Sequence, residues 1–600
     1  MSTDFRKVLV KDDRLMVSDT VNFAVLKGGQ NMTCQRFNAI GSGPYTSAIN
    51  FNIQIPSQET IIARNALIST TLTFTITGET IAPPIQNRGT VGGMSDFEYT
   101  SYLRQFGYGF LFAYGSVDSF GPLVFNQLIS SQQWTINNTT CSQNTRDILS
   151  VLLRIHDKRW LSRYNGLTPT AYDVYSVNAF DAVNNQWVQT LNNPSAGFYG
   201  CSMDNDLMPR GAFPLNSMTV FQYPLANPPV ATDNYLTGAT SVPRQVTVSI
   251  SVTEPILVSP WVYSGDDSCG MYGIQNLSCV INLDRSASTA IRFGNIAGRF
   301  TTLPVVQFVQ ADSPQLLLQL LTPHASDLFP SRNVMPYYEL PRYYTQIAPA
   351  VNPLATGTVN SQNLQFNMIP DKIILAIGIP ATGRTCDQAD SFMTITGVSI
   401  NWNNNSGILS SATPQDLWRM SVENGSNQSW LEFSGKAGNL PQATNEPLFV
   451  STCGSVLILE MGKDIQLIED YYAPGSLGNF NFYITVNYTN NTGLTYAANS
   501  LNLITVLQNS GVFSIERGVS SSYLGIITKS DVIEASKQEA SGYSSSLRMV
   551  GGKENPSMFT RLKAGLGKLS RGAGMSSGEG YSGGKKTKKH SNMGSLEDRL

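Results

Sequence analysis

The chain contains 600 residues, more than one hydrophobic core usually supports, so we expect at least two domains. Charged residues are only 14% of the composition, against roughly 25% in an average soluble protein, and Asn, Gln, Ser and Thr take their place. Charges occupy the N-terminus, where a signal peptide needs an apolar stretch, and no apolar run reaches the roughly 18 residues of a membrane span. We therefore expect a protein made in the cytoplasm, with uncharged polar surfaces that suit contacts between copies.

The cysteines do not form a recognisable framework. Their number is odd and no Cys-x-x-Cys pair occurs, which argues against a disulfide scaffold and against a zinc site. Free cysteine is commonly buried, so we expect buried thiols, and we predict no metal and no cofactor. The seven positions are Cys34, Cys141, Cys201, Cys269, Cys279, Cys386 and Cys453.

In the first half of the chain, apolar and polar residues alternate over several short segments. The alternation is regular at 49–55, 72–76 and 246–252, and it predicts strands with one apolar face. Residues 144–154 instead carry apolar residues at helical spacing and predict a short helix.

The second half repeats this behaviour. Residues 392–402 and 480–488 alternate, and the apolar run 373–379 predicts a further strand. A helix is expected at 413–420, because Thr413 is a good N-cap, a proline and an acid follow at suitable positions, and Gly425 is a reasonable stop.

The order of these segments occurs twice. Each half has a strand running into proline, a further strand, a strand ending in Asn-Asn, a helix and a long alternating strand. Many short strands between Gly, Pro and Asn turns are typical of antiparallel sandwiches. We interpret the chain as two copies of one sandwich. The matched pairs are 51–56 with 366–370, 134–138 with 398–404, 144–154 with 413–420, and 245–253 with 480–488.

Beyond about residue 535 the composition changes to Gly, Ser and Lys. Residues 553–600 hold ten Lys and Arg against four Asp and Glu, a net +6, which leaves 30 basic and 38 acidic residues, a net −8, in 1–552. We expect a disordered basic tail. Its leucines recur at helical spacing among basic residues, and a lysine cluster follows, so the tail is a candidate for contact with nucleic acid or a membrane surface. The candidate residues are Arg561, Leu562, Lys563, Leu566, Lys568, Leu569, Lys585, Lys586, Lys588 and Lys589.

The duplicated order, the tyrosine-rich segment 334–344 and the opening 26–30 together resemble double jelly-roll major capsid proteins of small double-stranded DNA viruses. The pattern is similar to that of the capsid proteins of virophages and Polinton-like viruses, of the adenovirus hexon lineage. The resemblance implies an all-β chain of two tandem jelly-roll sandwiches with short helices in loops. We expect an arm at 1–20, the first jelly roll at 21–262, the second at 263–535 and the flexible tail at 536–600.

The resemblance also implies a function. Three copies would form a pseudo-hexameric capsomer, and capsomers would build an icosahedral shell around double-stranded DNA, in contact with penton and minor capsid proteins. Adenovirus-type maturation cysteine proteases recognise an apolar residue, any residue and Gly-Gly before the cut. Met549, Gly551 and Gly552, followed by Lys553, fit that pattern at the point where the charge changes sign.

Other functions have less support from the sequence. A serine or cysteine hydrolase would need His156 or His324, which we interpret as surface or loop residues. A glycosidase needs a suitable carboxylate pair, and Asp266–Asp267 is better explained as a solvated loop. We predict no catalytic residue. A β-sandwich adhesin or fibre-type glycan-binding protein remains the alternative, with the tyrosines at 337–344 as possible stacking platforms, although burial at a sandwich edge or subunit contact explains them better.

Overall fold

The computed structural model describes residues 31–81, 111–112, 119–121, 123–155, 179–181, 186–188, 215–222, 241–261, 270–287, 290–292, 302–323, 332–380, 391–403, 405–440, 448–467, 474–516 and 518–525. The expected N-terminal arm, the opening at 26–30 and the tail, with all its candidate residues, lie outside this set.

The first half of the described chain forms fourteen strands and two helices. They are β1 Asn31–Asn38, β2 Ala48–Gln54, β3 Ile61–Ile62, β4 Leu67–Ile81, β5 Ser119–Phe120, α1 Val124–Leu128, β6 Ile129–Ile136, β7 Thr139–Gln143, α2 Thr145–Ile155, β8 Ala179–Asp181, β9 Gln186–Val188, β10 Leu215–Gln222, β11 Ser241–Pro255, β12 Asn276–Leu283, β13 Ile291–Arg292 and β14 Val305–Thr322.

Two sheets of this half face each other as a jelly roll. One has the order β1-β14-β4-β11-β10, with β3 also paired to β14, and the other has the order β2-β12-β6-β7. Eight strands taken along the chain (β1, β2, β4, β6, β7, β11, β12 and β14) therefore follow the jelly-roll arrangement, in which the first, third, sixth and eighth share one sheet.

The second half forms thirteen strands and two helices among the described residues. They are β15 Arg332–Glu339, β16 Arg342–Ile347, β17 Thr356–Asn360, β18 Leu364–Met368, β19 Lys372–Gly378, β20 Thr394–Trp402, β21 Asn405–Ile408, α3 Pro414–Glu423, α4 Trp430–Phe433, β22 Lys436–Leu440, β23 Leu448–Ser451, β24 Val456–Glu460, β25 Leu477–Thr489, β26 Leu501–Glu516 and β27 Val519–Leu524.

The second sandwich has the same strand order as the first. One sheet runs β15-β26-β19-β24, with β16 and β27 also paired to β26, and the other runs β17-β25-β20-β21, with β18 paired to β25. The prediction of an all-β double jelly roll is therefore confirmed. Both predicted helices are also present, and α3 begins with a complete capping box between Thr413 and Asp416.

Each sandwich encloses an aromatic and aliphatic core formed by the inward residues of its alternating strands. In the first, Phe74 of β4 lies 5.8 Å from Phe120 and 6.1 Å from Phe308 between ring centroids. In the second, Trp402 stacks on Phe480 at 5.3 Å. The strands that alternate in sequence are those that have one face on a core and one face outside it.

Two sequence expectations need correction. The division between the sandwiches falls within 323–331 and not between 262 and 263, because β12 and β14 pair with β2 and β4 of the first sandwich. The long strands matched at 245–253 and 480–488 are not equivalent either. The equivalent of β11 is β24, which is apolar on both faces and does not alternate, whereas β25 corresponds to β12.

The cysteines fit the expectation of buried thiols in part. Cys141, Cys279 and Cys453 are free and buried, and burial raises the pKa of Cys141 to about 12. Cys34 is free but exposed on β1, and the other three lie outside the described residues. Among the helices that the structure describes, none has the length and apolar character needed to cross a membrane.

Gly454 leads into β24 with φ of +94°, and a Cβ added there would lie 2.0 Å from the carbonyl oxygen of Phe392. We predict that Gly454→Ala lowers the free energy of unfolding by about 3 kcal/mol or more, because it combines backbone strain with a clash against the main chain. Gly407 is the matched control, since its φ is +75° but the nearest atom to an added Cβ is 3.8 Å away.

Gly407→Ala should therefore cost only the strain of a left-handed residue, about 1–2 kcal/mol. Urea unfolding followed by tryptophan fluorescence measures both variants. Equal losses for the two alanines would contradict the steric explanation.

Candidate functional site

The junction between the two sandwiches is built around α2. This helix follows β7, carries Asp147 in its first turn and Arg154 in its last, and so has charges that complement its dipole. It packs on β6 of its own sandwich. Its other side is covered as well, because nine of its eleven residues are buried. They are Thr145, Arg146, Ile148, Leu149, Ser150, Val151, Leu152, Leu153 and Arg154.

The second sandwich meets α2 with a sheet that is apolar on both faces. In β19, Ile373, Leu375 and Ile377 belong to the core of the second sandwich, while Ile374 and Ala376 belong to the cluster formed with α2. The strands β24 and β26 pair with β19, and they extend both its core-facing side and its α2-facing side. The residues that face α2 are Ile374, Ala376, Val456, Ile458, Ile504 and Val506.

Arg154 fixes the C-terminal end of α2 at this junction. Its side chain is fully buried, with Nη1 donating to the carbonyl oxygen of Ser150 and Nη2 donating to Sγ of Cys453, each at 2.7 Å. The guanidinium also lies 5.5 Å from the centroid of the Phe392 ring. The main chain contributes a further link, because N–H of Asn427 donates to the carbonyl oxygen of Arg154 at 2.7 Å.

Ion pairs hold the other end of α2. Arg342 of β16 contacts Asp147 at 2.5 Å, which joins the second sandwich to the first turn of the helix. Arg146 contacts Asp284 at 2.7 Å within the first sandwich. Both pairs are shielded from solvent in part, so they hold the orientation of the helix more firmly than exposed pairs would.

The tyrosine-rich segment 334–344 covers most of β15 and the start of β16, and β15 is the strand that joins the sandwiches. Met335 and Tyr337 of β15 pack into the core of the first sandwich, although β15 pairs with β26 of the second. Burial raises the pKa of Tyr337, whose hydroxyl donates to Glu339 at 3.2 Å. Tyr343 packs against the second core and Tyr344 against the α2 cluster. These contacts support burial at a sandwich edge over a role in stacking on ligands.

A second bridge joins β27 to the edge strand β7 of the first sandwich. The N–H of Thr139 donates to Oγ of Ser520 at 3.2 Å, and the hydroxyl of Thr139 donates to the carbonyl oxygen of Ser520 at 2.7 Å. The N–H of Ser520 donates to Asn138 at 2.7 Å, and its hydroxyl donates to the carbonyl oxygen of Ile136. A residue near the end of the second sandwich is thus tied to a turn of the first.

Glu254 is a buried carboxyl that sequence reasoning missed. It accepts hydrogen bonds from N–H of Phe125 at 2.8 Å and from the backbone and side-chain nitrogens of Asn126 at 2.9 Å each. Burial is the main cause that raises its pKa to about 7. Its position was a usable signal, because 254 continues the inward register of 246–252.

The remaining candidates from the sequence are not brought together. His156, His324 and Asp266–Asp267 lie outside the described residues, as do Met549, Gly551, Gly552, Lys553 and the basic tail residues. Among the described residues, no group of three His, Cys, Asp or Glu side chains could hold a metal ion.

Two jelly rolls of one topology, fastened side by side within one chain, define the class of double jelly-roll capsid proteins. The family model described as "Sputnik virophage major capsid protein 1st domain" matches residues 3–321, and that described as "Major capsid protein V20 C-terminal domain" matches residues 340–511. The first match covers more than half of the chain, which therefore belongs to the Sputnik virophage major capsid protein family. The gap between the two matches contains the division at 323–331 found in the structure.

Individual proteins agree with the family. The chain is 26% identical over 585 residues to capsid protein V20 of Sputnik virophage, covering 94% of this chain and 87% of that protein. The cryo-EM structure of the Sputnik virophage superposes with a TM-score of 0.65 and 22% identity over 92% of this chain and 97% of that one. The mavirus major capsid protein gives a TM-score of 0.59 and 13% identity, covering 87% and 95%.

Membership of this family makes the chain a major capsid protein. It is a structural component of the virion that assembles with itself into capsomers, and it is not an enzyme. The junction described above then has a clear task, because it sets the fixed distance and orientation between the two sandwiches of each subunit.

We predict that Leu152→Ala separates the unfolding of the two sandwiches into two calorimetric transitions. Leu152 is fully buried in the α2 cluster, so its truncation removes about 2–5 kcal/mol from the contact that couples them. Leu417→Ala is the matched control, because Leu417 is equally buried on α3 but lies in the core of the second sandwich. A Leu152→Ala variant that unfolds like the Leu417→Ala variant would contradict this role.

The buried carboxyl gives a pH-dependent prediction. Because folding raises the pKa of Glu254 from 4.5 to about 7, its contribution to stability is fully present below about pH 4.5 and is lost as the pH rises through 7. Relative to Glu254→Gln, the wild type should lose about 1–3 kcal/mol of unfolding free energy between pH 5 and pH 7.5. Thermal unfolding of both proteins at pH 5, 6 and 7.5 measures the difference, and parallel curves would refute it.

Proposed function

We propose that three copies of this chain form a pseudo-hexameric capsomer, and that these capsomers build an icosahedral shell around a double-stranded DNA genome. The support is geometric. Each chain supplies two sandwiches of the same strand order, fastened by the buried α2 cluster and by the bridge at Ser520. Three such pairs around a three-fold axis give six similar sandwiches, which is the outline needed to fill a hexagonal lattice position.

A shell of this geometry needs further capsid proteins as partners. A closed icosahedral shell has five-fold vertices that a six-sided capsomer cannot fill, so we infer a separate penton protein as a partner. Minor capsid proteins would seal the contacts between capsomers. We also propose synthesis in the host cytoplasm, which the four free cysteines of the described residues support.

The basic tail is proposed to act before or during assembly. A net charge of +6 over residues 553–600, next to a body of −8, suits transient contact with nucleic acid or an anionic membrane. The residues proposed for that contact are the basic and leucine positions from Arg561 to Lys589. A maturation cysteine protease would then cut after Gly552, recognising Met549 and the two glycines, and release the tail from Lys553 onward.

The assembly is tested with purified full-length protein by light scattering and negative-stain microscopy. The expected result is a mass of three chains and particles with six-fold outline. A particle of one chain at micromolar concentration would overturn the trimer.

The cleavage is tested by co-expression with the virus's own cysteine protease and intact-mass measurement. We expect loss of residues 553–600, and full protection by replacing Gly551 and Gly552 with alanine. The second Gly-Gly, at 583–584 after Tyr581, is an internal control, since it lacks the aliphatic residue and should stay uncut. Mature particles whose capsid protein still ends at Leu600 would refute the cleavage.

A further inference from the structure

The two sandwiches share one topology but differ in what covers their helices. In each sandwich a helix follows the fifth jelly-roll strand: α2 follows β7 in the first sandwich, and α3 follows β21 in the second. α2 packs on β6 and α3 packs on β20, which are the fourth strands of their sandwiches. Nine residues of α2 are buried, whereas only Leu417 and Ser421 of α3 are. Among the residues that the structure describes, the outer side of α3 therefore lacks the cover that α2 receives.

The surfaces opposite these helices differ in the same way. The sheet of the second sandwich presents apolar residues to α2 from β19, β24 and β26. The equivalent strands of the first sandwich are β4, β11 and β14, and the central part of the outward side of β4 and β11 carries four pairs of hydroxyl residues. We call them the hydroxyl rows. They are Ser69 with Thr253, Thr71 with Ser251, Thr73 with Ser249, and Thr75 with Thr247.

The hydroxyl rows form an ordered surface. The hydroxyls of Thr71 and Ser251 lie 3.1 Å apart, and Thr253 donates to Ser69 at 3.0 Å. Strand β14 extends the surface with Gln307, which lies beside Thr75. Threonine offers both a methyl group and a hydroxyl, so such a face can be wetted in a free subunit and still pack closely against a partner.

The outer side of α3 has matching chemistry. Gln415, Arg419 and Val422 lie at i, i+4 and i+7 on one stripe, opposite the buried Leu417 and Ser421. Val422 is 37% exposed and the Arg419 side chain 72% exposed. We call this stripe the α3 stripe. Amide and guanidinium groups donate hydrogen bonds that threonine and serine oxygens accept, and the valine methyls suit threonine methyls.

We propose that the α3 stripe of one copy docks on the hydroxyl rows of the next copy around the capsomer. Within a chain, α2 packs on the outer side of the second sandwich, and the proposed contact repeats this arrangement between chains. Six sandwiches are then joined alternately by three apolar contacts within chains and three polar contacts between chains. The proposal rests on the trimer proposed above. It adds which surfaces meet and why the contact between chains is polar, since it must stay soluble before assembly.

The first test places a large side chain in the hydroxyl rows. Thr73→Arg should weaken trimer formation by about 100-fold or more in sedimentation velocity, because the long side chain would hold the partner helix away from the sheet. Thr135→Arg is the matched control. Thr135 is also half-buried and hydroxyl-paired, with Thr140 at 3.0 Å, but it lies on the outer side of the other sheet and should leave the trimer intact.

A second test does not depend on a disruptive change. Ser249→Cys combined with Gln415→Cys, in a Cys34→Ser background, should give covalent dimers and trimers on denaturing gels after treatment with a short bis-maleimide. Each single cysteine variant should give monomers. Thermal unfolding checks that all variants fold.

The outcomes separate the two proposals. A wild-type protein that stays monomeric overturns both. A wild-type trimer that Thr73→Arg leaves unchanged, or that gives no cross-link between 249 and 415, overturns the docking surface and leaves the trimer standing. Loss of the trimer in both Thr73→Arg and Thr135→Arg would also count against a specific role of the hydroxyl rows.

Discussion

The apolar contact of α2 with the outer side of the second sandwich determines the rest of the molecule. Sheets of a sandwich ordinarily bury one side, but β19, β24 and β26 bury both, and the second burial is provided by a helix of the first sandwich. Buried Arg154 and the ion pair of Arg342 with Asp147 then allow one orientation of that helix. Two folding units are thereby converted into one rigid building block, which is what a shell subunit needs.

The sequence predicts those strands whose inward side chains are apolar and whose outward side chains are polar. Residues 49–55, 72–76 and 480–488 alternate because their outward positions are polar, and all three lie in strands. β24 shows no alternation, since Val456 to Leu459 are buried on both sides. For that reason β25, which alternates, was matched to β11 instead of β24. The boundary was placed too early for a related reason, because pairing of β14 with β4 spans more than 200 residues and leaves no local pattern.

Less of the junction was predictable than of the fold. The tyrosine-rich segment was recognised as unusual and assigned to a sandwich edge or subunit contact, and Tyr337 does lie in such a place. Ser520 carried no signal, because its hydrogen bonds to Thr139 join residues 381 positions apart. In the sequence Arg154 is only the last residue of the helix predicted at 144–154, and the tertiary structure is what puts the sulfur of Cys453 and the ring of Phe392 beside it.

The contrast between the two equivalent sheets also bears on the unusual composition. An apolar surface that is covered during folding of its own chain carries no risk of aggregation, so the sheet facing α2 can be Ile, Val and Ala. A surface that meets its partner only on assembly must remain soluble in the meantime, yet unpaired charges would be costly to bury afterwards. Threonine and serine meet both demands. A chain with 14% charged residues and many hydroxyls is thus the composition expected of a subunit whose outer faces become interfaces.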